Sequence, residues 1–230
     1  MSRLLIHVEG ETEEAFVREI LSSHLYRYGY MKVSARLVGN ARQRDRRGGI
    51  RAWSAVRKDI LRHLKEDPEC FSTTMVDFYA LPQTGDKAWP GRAEATQLSF
   101  PEKSISVERA LLTDICKEMG SGFERNRFLP YVMMYEFEGL LFSDPNKFGS
   151  AIGKPELSSK FQVIRDQFPT PEEINDSPET SPSKRIKNLI PGYEKPLLGT
   201  LAILEIGLET IRRECPLFCK WLKQLEQWPK

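Results

Sequence analysis

Two carboxylates flank a strand-to-helix turn near the start of the chain. The apolar run 4–8 stops at Glu9, and a helix opens at Thr12 with Glu13 in its first turn. Parallel α/β sheets bind ligands at the carboxyl ends of their strands, and carboxylate oxygens suit Mg²⁺ or Mn²⁺. We therefore interpret this turn as half of a metal site for phosphodiester chemistry. The alternative for Glu13 is an acid favoured by the helix macrodipole.

Further acids follow two later apolar stretches. Asp77 lies near the end of 72–81, where its apolar neighbours offer a lone acid no obvious partner, and Glu136 and Glu138 follow 128–135. Like charges gathered at one sheet edge are costly unless a cation compensates them. A bound Mg²⁺ can activate water and stabilise charge on a phosphate. Alternation along the chain indicates that one of Glu136 and Glu138 points inward, and a solvated helix start is the alternative for both.

A basic stretch between residues 36 and 65 is the second candidate for chemistry. It holds ten Arg and Lys residues against two Asp residues, although the net charge of the whole chain is only +2. Such a local excess could hold a phosphate backbone, and a solvated loop and helix face is an equally good interpretation. The residues that we expect to contact nucleic acid are Arg42, Arg44, Arg46, Arg47 and Arg51.

Alternating strand and helix patterns must position these residues. The predicted strands are 3–8, 32–38, 72–81 and 128–135. The predicted amphipathic helices, with apolar residues three and four apart, are 12–28, 51–65 and 105–119. This order predicts an α/β fold with a parallel four-stranded sheet flanked by helices.

The chain after this pattern is predicted to be helical. Residues 1–145 would form the α/β domain, and 146–230 would form a helical extension packed on the same domain, with its last helices near 199–213 and 216–227. Short helical pieces among prolines are expected before them.

Composition indicates an ordinary globular chain. Hydrophobic residues make up 40% and charged residues 29% of 230 residues. No apolar run approaches the roughly 20 residues that span a bilayer, and the N-terminal run is too short for a signal peptide. We expect a cytoplasmic protein without membrane contact. Idle thiols in a reducing compartment fit the four cysteines better than half a zinc site at Cys215 and Cys219.

Four segments together resemble a known family. They are VEGETEEAF at 8–16, TMVDFYALP at 74–82, YEFEGLLFSD at 135–144 and TSPSKRI at 180–186. The first resembles the opening motif of Toprim domains, the metal-binding module of topoisomerases, primases and OLD-type nucleases. The whole set resembles the small bacterial Toprim-like family catalogued as domain of unknown function 4276. This resemblance implies a Toprim-like fold, dependence on Mg²⁺ (or Mn²⁺) and a nuclease role.

The resemblance also implies roles for individual residues. Glu9 matches the Toprim glutamate, a metal ligand or general acid/base, and Asp77 matches the first acid of the Toprim Asp-x-Asp pair. Tyr79 stands where the second acid would be, so a second metal would depend on Glu136 or Glu138.

OLD-like nucleases use a lysine near the scissile phosphate. Lys184 is the candidate implied here, with Lys195 as the second choice. A plain lysine at a helix start is an equally good interpretation of Lys184.

These features predict a metal-dependent endonuclease that cuts DNA or RNA. The expected metal ligands and catalytic acids are Glu9, Glu13, Asp77, Glu136 and Glu138, with Lys184 stabilising negative charge. The resemblance extends to nuclease subunits of PARIS-type anti-phage systems, which work beside an ABC-like ATPase. Because a freely active nuclease would harm its host, we expect activation by that partner or by assembly into a homo-oligomer. The alternative is a non-catalytic Toprim-like module that binds the ATPase or a nucleotide.

Overall fold

Five parallel strands form one sheet in the computed structural model, which describes residues 2–38, 49–175, 177 and 179–228. The strands are β1 (Arg3–Val8), β2 (Lys32–Leu37), β3 (Cys70–Asp77), β4 (Phe128–Leu129) and β5 (Val132–Met133). Their order is β2-β1-β3-β4, and β5 also pairs with β3. Every pairing is parallel. The predicted α/β fold with a parallel sheet flanked by helices is therefore confirmed.

The predicted fourth strand is divided into β4 and β5 at Pro130. Proline has no backbone N–H to donate to a strand ladder. Beside the break, the Thr74 hydroxyl accepts a hydrogen bond from the Tyr131 N–H at 2.9 Å and donates one to the Tyr131 carbonyl at 2.9 Å. The Thr74 side chain thus replaces the missing ladder contacts, and the predicted fourth strand consists of two short strands.

Strand β3 ends at Asp77, four residues earlier than predicted. A 3₁₀ helix, Phe78–Ala80, turns the chain away at that point. The parallel register aligns Val8 with Met75, so Glu9 and Asp77 both stand at the carboxyl edge of the sheet.

Helices cover both faces of this sheet. The first helical run follows the predicted range 12–28 closely, but it changes type along its length and ends at Gly29, whose φ is 96°. Its parts are α1 (Glu11–Phe16), a π-helical segment (Val17–Leu21), α2 (Ser22–Leu25) and a 3₁₀ helix (Tyr26–Tyr28). The next two helices are α3 (Trp53–Glu66) and α4 (Glu102–Met119), both close to their predicted ranges.

The chain beyond residue 144 is helical, as predicted. Its α-helices are α5 (Pro145–Ala151), α6 (Ser158–Arg165), α7 (Pro182–Leu189), α8 (Thr200–Ile206), α9 (Leu208–Glu214) and α10 (Pro216–Gln227). A π-helical segment, Lys195–Gly199, leads into α8. The predicted helix 199–213 is broken at Gly207, which has a φ of 80° and separates α8 from α9.

Short 3₁₀ helices connect these elements. They are Gly85–Lys87, Glu94–Gln97, Arg125–Arg127, Phe137–Ser143, Pro155–Leu157 and Pro171–Glu173. Within the described residues, no helix is both long enough and apolar enough to cross a membrane.

The apolar core lies on both faces of the sheet. On one face, Ile6 of β1 belongs to a buried cluster that includes Phe137 and, from α10, Phe218. On the other face, Val76 of β3 packs in a cluster with Val56 of α3 and the buried residues of α4. The C-terminal helices therefore share a hydrophobic core with the first strand.

A buried glutamate fixes the start of α10 against the rest of this core. The carboxylate of Glu172 accepts hydrogen bonds from the backbone N–H groups of Leu217 at 2.8 Å and Phe218 at 2.9 Å. Those N–H groups belong to the first turn of α10 and have no partner inside the helix. Burial raises the pKa of Glu172 to about 7.

We expect Glu172→Ala to lower the free energy of unfolding by about 1–3 kcal/mol, because it leaves buried N–H groups unpaired. Urea unfolding followed by circular dichroism measures the change. Glu205→Ala, which removes an exposed glutamate from α8, is the control and should change stability by less than about 0.5 kcal/mol. Equal effects of the two substitutions would contradict the assigned role of Glu172.

Candidate metal centre

Four acids from four different elements converge at the carboxyl edge of the sheet. Glu9 follows β1, Glu13 lies in α1, Asp77 ends β3, and Glu138 lies in the 3₁₀ helix after β5. At their centre is the ammonium group of Lys195. Its Nζ is 3.1 Å from Glu138 Oε2, 3.5 Å from Glu13 Oε1 and 3.8 Å from Asp77 Oδ2. We call these four acids and Lys195 the acid cluster.

Small residues allow the elements of the acid cluster to approach each other closely. A Cβ at Gly10 would lie 2.9 Å from Glu13 Oε2, so glycine lets this carboxylate fold back over the strand-to-helix turn. A Cβ at Gly199 would lie 3.2 Å from Thr12 Cγ2. The segment that carries Lys195 can therefore lie directly against α1.

The carboxylates of the acid cluster are buried and poorly satisfied. Glu13 and Glu138 are each 1% exposed, and Asp77 is 5% exposed. Apart from the ion pairs to Lys195, both oxygens of Glu13, both oxygens of Glu138 and Oε2 of Glu9 are buried without a hydrogen bond in the described part of the chain. Buried polar atoms are normally paired. One ammonium group therefore compensates four acids incompletely.

Burial and mutual repulsion shift the pKa values of the acid cluster. Burial, followed by the charge of Glu13, raises the pKa of Glu9 to about 7. Burial also raises the pKa of Glu138, and it raises that of Asp77 well above its ordinary value. Burial opposes the charged form of Lys195, but Glu13, Glu138 and Asp77 raise its pKa well above the ordinary value. Lys195 is therefore a cation at neutral pH.

Backbone donors fix two acids at this edge in defined orientations. The Phe137 N–H donates to Asp77 Oδ1 at 2.9 Å, so the other oxygen of Asp77 faces Lys195. The Ser183 N–H donates to Glu136 Oε2 at 2.8 Å. Glu136 therefore holds the first turn of α7, whereas Glu138 contacts Lys195.

A cavity of about 280 Å³ opens onto every member of the acid cluster except Glu13. The cavity is lined by Glu9, Asp77, Tyr79, Ala80, Glu136, Glu138, Ser183, Lys187 and Lys195. Acids lie at its base, and Lys187 of α7 stands at the rim with an exposed side chain. The arrangement places positive charge around a negative floor, which suits a cation together with an anionic group such as phosphate.

Tyr79 lies at the cavity rim in the position where the sequence resemblance implies a second acid. Its hydroxyl accepts a hydrogen bond from the Asn175 side-chain amide. Its ring stacks on Tyr135, with ring centroids 5.1 Å apart and an interplanar angle of 27°. This aromatic pair shapes the entrance and supplies no carboxylate.

The lysine predicted first is not at the cavity. Lys184 is exposed on α7 and does not line the cavity, whereas Ser183 and Lys187, four residues apart on the same helix, both do. Lys195, the second choice, lies at the centre. The sequence offered no periodicity or motif around Lys195, and Lys187 and Ser183 were likewise missed.

Most of the arginines that were predicted to contact nucleic acid lie outside the part of the chain that the structure describes. Arg42, Arg44, Arg46 and Arg47 lie outside the described residues. Arg51 is described: its guanidinium is 3.8 Å from Asp59 Oδ2, and its carbonyl accepts a hydrogen bond from the Trp89 indole at 2.9 Å. It does not line the cavity.

The donor types of the acid cluster fit a hard divalent cation. Mg²⁺ and Mn²⁺ prefer carboxylate oxygens, and the unpaired buried oxygens of Glu9, Glu13 and Glu138 are such donors. Within the described ranges, no three His, Cys, Asp or Glu residues already form a compact metal-binding group. The carboxylates instead surround the Lys195 ammonium group.

Fold and site together define a parallel α/β protein with an acidic cavity at the strand ends. The sequence profile of the family described as "Domain of unknown function (DUF4276)" matches residues 8–226. The chain belongs to this family. No curated protein and no solved structure matches it.

The contribution of Glu9 to the stability of the metal-free protein should fall as the pH rises, and comparison of two variants separates it from other buried groups such as His7, whose pKa burial lowers to about 3. Folding raises the pKa of Glu9 from 4.5 to about 7, so its contribution is fully present below pH 4.5 and is lost as the pH rises through about 7. Urea unfolding in EDTA at a series of pH values measures this loss, which is at most about 1.4 kcal/mol per pH unit for one proton.

Glu9→Gln should flatten this pH dependence, because glutamine does not titrate. Glu14→Gln is the control: Glu14 lies in α1, which follows Glu9 in the chain, but it lines a separate groove. Burial also raises the pKa values of Glu108 and Glu172 to about 7, and these groups contribute equally in both variants. Identical slopes of stability against pH for the two variants would show that folding does not raise the pKa of Glu9.

Proposed function

We propose that this protein is a metal-dependent nuclease that hydrolyses phosphodiester bonds in DNA or RNA with Mg²⁺ or Mn²⁺. The observation that carries the proposal is the convergence of four acids, three buried and Glu9 half-buried, at the carboxyl edge of a parallel sheet, although most of them are distant along the chain. Burying such a group of like charges is costly, and structural stability alone gives no reason for it. The sequence resemblance to Toprim domains supports the same activity.

The residues that would hold the metal are Glu9, Glu13, Asp77 and Glu138. When bound, the ion supplies activation of a water molecule and stabilisation of charge on the phosphate. The Phe137 N–H holds Asp77 in place for this task. Glu9 has a pKa of about 7, which suits a group that accepts a proton and releases it again near neutral pH.

The rim of the cavity would hold the anionic substrate. Lys187 and the first turn of α7 face the cavity beside Ser183. Glu136 fixes that turn through the Ser183 N–H. A phosphate placed between this rim and the acidic floor would contact positive groups on the outer side and the metal on the inner side. The basic stretch 42–51 remains the predicted contact for the rest of the nucleic acid.

Glu9→Gln and Asp77→Asn should each reduce Mn²⁺-dependent cleavage by at least about 100-fold, since each removes a charged oxygen from the metal site. Purified protein, with and without its neighbouring ATPase, is incubated with plasmid DNA and total RNA in Mn²⁺, and the products are separated on gels. Glu14→Gln is the matched control and should cleave like the wild type. Full cleavage by Glu9→Gln would overturn the proposal.

Substitution of two lysines of α7 tests whether the substrate contacts Lys187, which lines the cavity, or Lys184, which the sequence analysis named. Lys187→Ala should weaken cleavage at low substrate concentration by about tenfold, because one phosphate-facing charge is lost. Lys184→Ala, a change of the same kind on the same helix, should have little effect. Rates measured across substrate concentrations separate binding from turnover. The opposite ranking would show that the substrate contacts Lys184 and does not enter the cavity lined by Lys187.

A second candidate function is a non-catalytic module that binds an ATPase partner. The observation that favours it is a row of exposed apolar side chains that begins two residues after Lys195: Leu197, Leu201 and Leu204 are 57%, 45% and 42% exposed. Their spacing places them along one side of a helix. Under this function, co-purification with the ATPase should depend on Leu201 and not on Glu9. Co-purification combined with no cleavage and no Mn²⁺ binding would favour this candidate over the nuclease.

A further inference from the structure

The Lys195 ammonium group takes the place in the acid cluster that suits a cation best. Its Nζ lies within 4 Å of oxygens from Glu13, Asp77 and Glu138. These three acids are among the ligands assigned above to the metal. Lysine and metal therefore draw on the same oxygens.

We propose that Lys195 is a built-in competitor for the divalent cation: its ammonium group balances the acid cluster in the metal-free protein and leaves the cluster when the metal binds. This inference rests on the proposed metal site and adds its regulation. A lysine near acids can be a fixed contact to the phosphate, or it can be a counter-cation that is exchanged for the metal. The proposal gives Lys195 the second role.

Electrostatics favours exchange over coexistence. An ammonium group and a divalent ion at the same centre repel each other strongly in a poorly solvated cavity. The acids would give up their ion pairs to Lys195, but both oxygens of Glu13 and of Glu138 lack any other hydrogen bond while lysine is present. A cation with more charge and shorter contacts satisfies those oxygens better than one ammonium group does.

The side chain of Lys195 has a route out of the acid cluster. It is 37% exposed, whereas the acids around its tip are almost fully buried. Its flexible four-carbon stem can carry the ammonium group from the floor of the cavity towards solvent. Lys195 also begins the π-helical segment before α8, so a shift of this segment would withdraw the lysine.

The first test is Mn²⁺ binding measured by calorimetry, with free Mn²⁺ followed by electron paramagnetic resonance. Lys195→Met keeps the length of the stem and removes the charge, so it should tighten Mn²⁺ binding by at least about tenfold. Lys184→Met is the matched control on an exposed lysine and should bind like the wild type. Neither readout requires catalytic activity.

The second test uses the wild-type protein and does not depend on how a variant folds. Limiting acetic anhydride labels accessible amines, and mass spectrometry of the peptides reports each lysine. Saturating Mn²⁺ should increase acetylation of Lys195 several-fold, because its ammonium group leaves the buried acids and becomes accessible to the reagent. Acetylation of exposed Lys184 should stay constant and serves as the internal standard.

The outcomes separate this inference from the proposed function. Mn²⁺ binding of equal strength in the wild type and Lys195→Met, together with unchanged labelling of Lys195, would overturn the exchange and leave the metal site standing. Absence of Mn²⁺ binding in both proteins would overturn the metal site and the exchange together. Tighter binding in Lys195→Met and metal-dependent exposure of Lys195 would establish the exchange.

Discussion

The electrostatic balance between four carboxylates, three of them buried and one half-buried, and one ammonium group is the constraint on which the site depends. Glu9, Glu13, Asp77 and Glu138 repel each other in a region with little water, and Lys195 is the cation that holds them together. A fold that needed only stability would place apolar side chains here, because buried ion pairs seldom add stability over well-packed hydrophobic residues. The proposed metal, which would use the same oxygens, would account for this unfavourable arrangement.

The rest of the fold limits the freedom of these acids. Parallel pairing of β1 with β3 sets the heights of Glu9 and Asp77 at one edge. The Phe137 N–H then fixes the rotation of Asp77. On the opposite side, the core shared by β1 and α10 anchors the C-terminal helices on the sheet. The helical extension is therefore part of the site, because it is the part of the chain that supplies Lys195.

The sequence predicts those features that follow from local pattern. The apolar run before Glu9 and the helix after it give β1 and α1, and Asp77 stands out as an acid without a local partner. Pro130 and Gly207 carry the information that breaks a strand and a helix, but periodicity alone passed over both. Lys195 was only the second choice for the lysine that the resemblance to OLD-like nucleases implies, and no local pattern predicted its position at the centre of the acids. Its role comes from a contact with residues more than 50 positions away, and nothing in its neighbours distinguishes it from other surface lysines.

The number of cation positions follows from what surrounds them. Where the Toprim resemblance implies a second acid, the ring of Tyr79 is held by Asn175 and stacked on Tyr135 at the rim. Glu136, the other carboxylate that could complete a second position, is engaged by the Ser183 N–H. Four of the described carboxylates lie around one centre, at which Lys195 Nζ contacts Glu13, Asp77 and Glu138. If the proposed metal takes this centre, the lysine has to leave it first, so under the proposed exchange control of the metal and control of the lysine would be the same event.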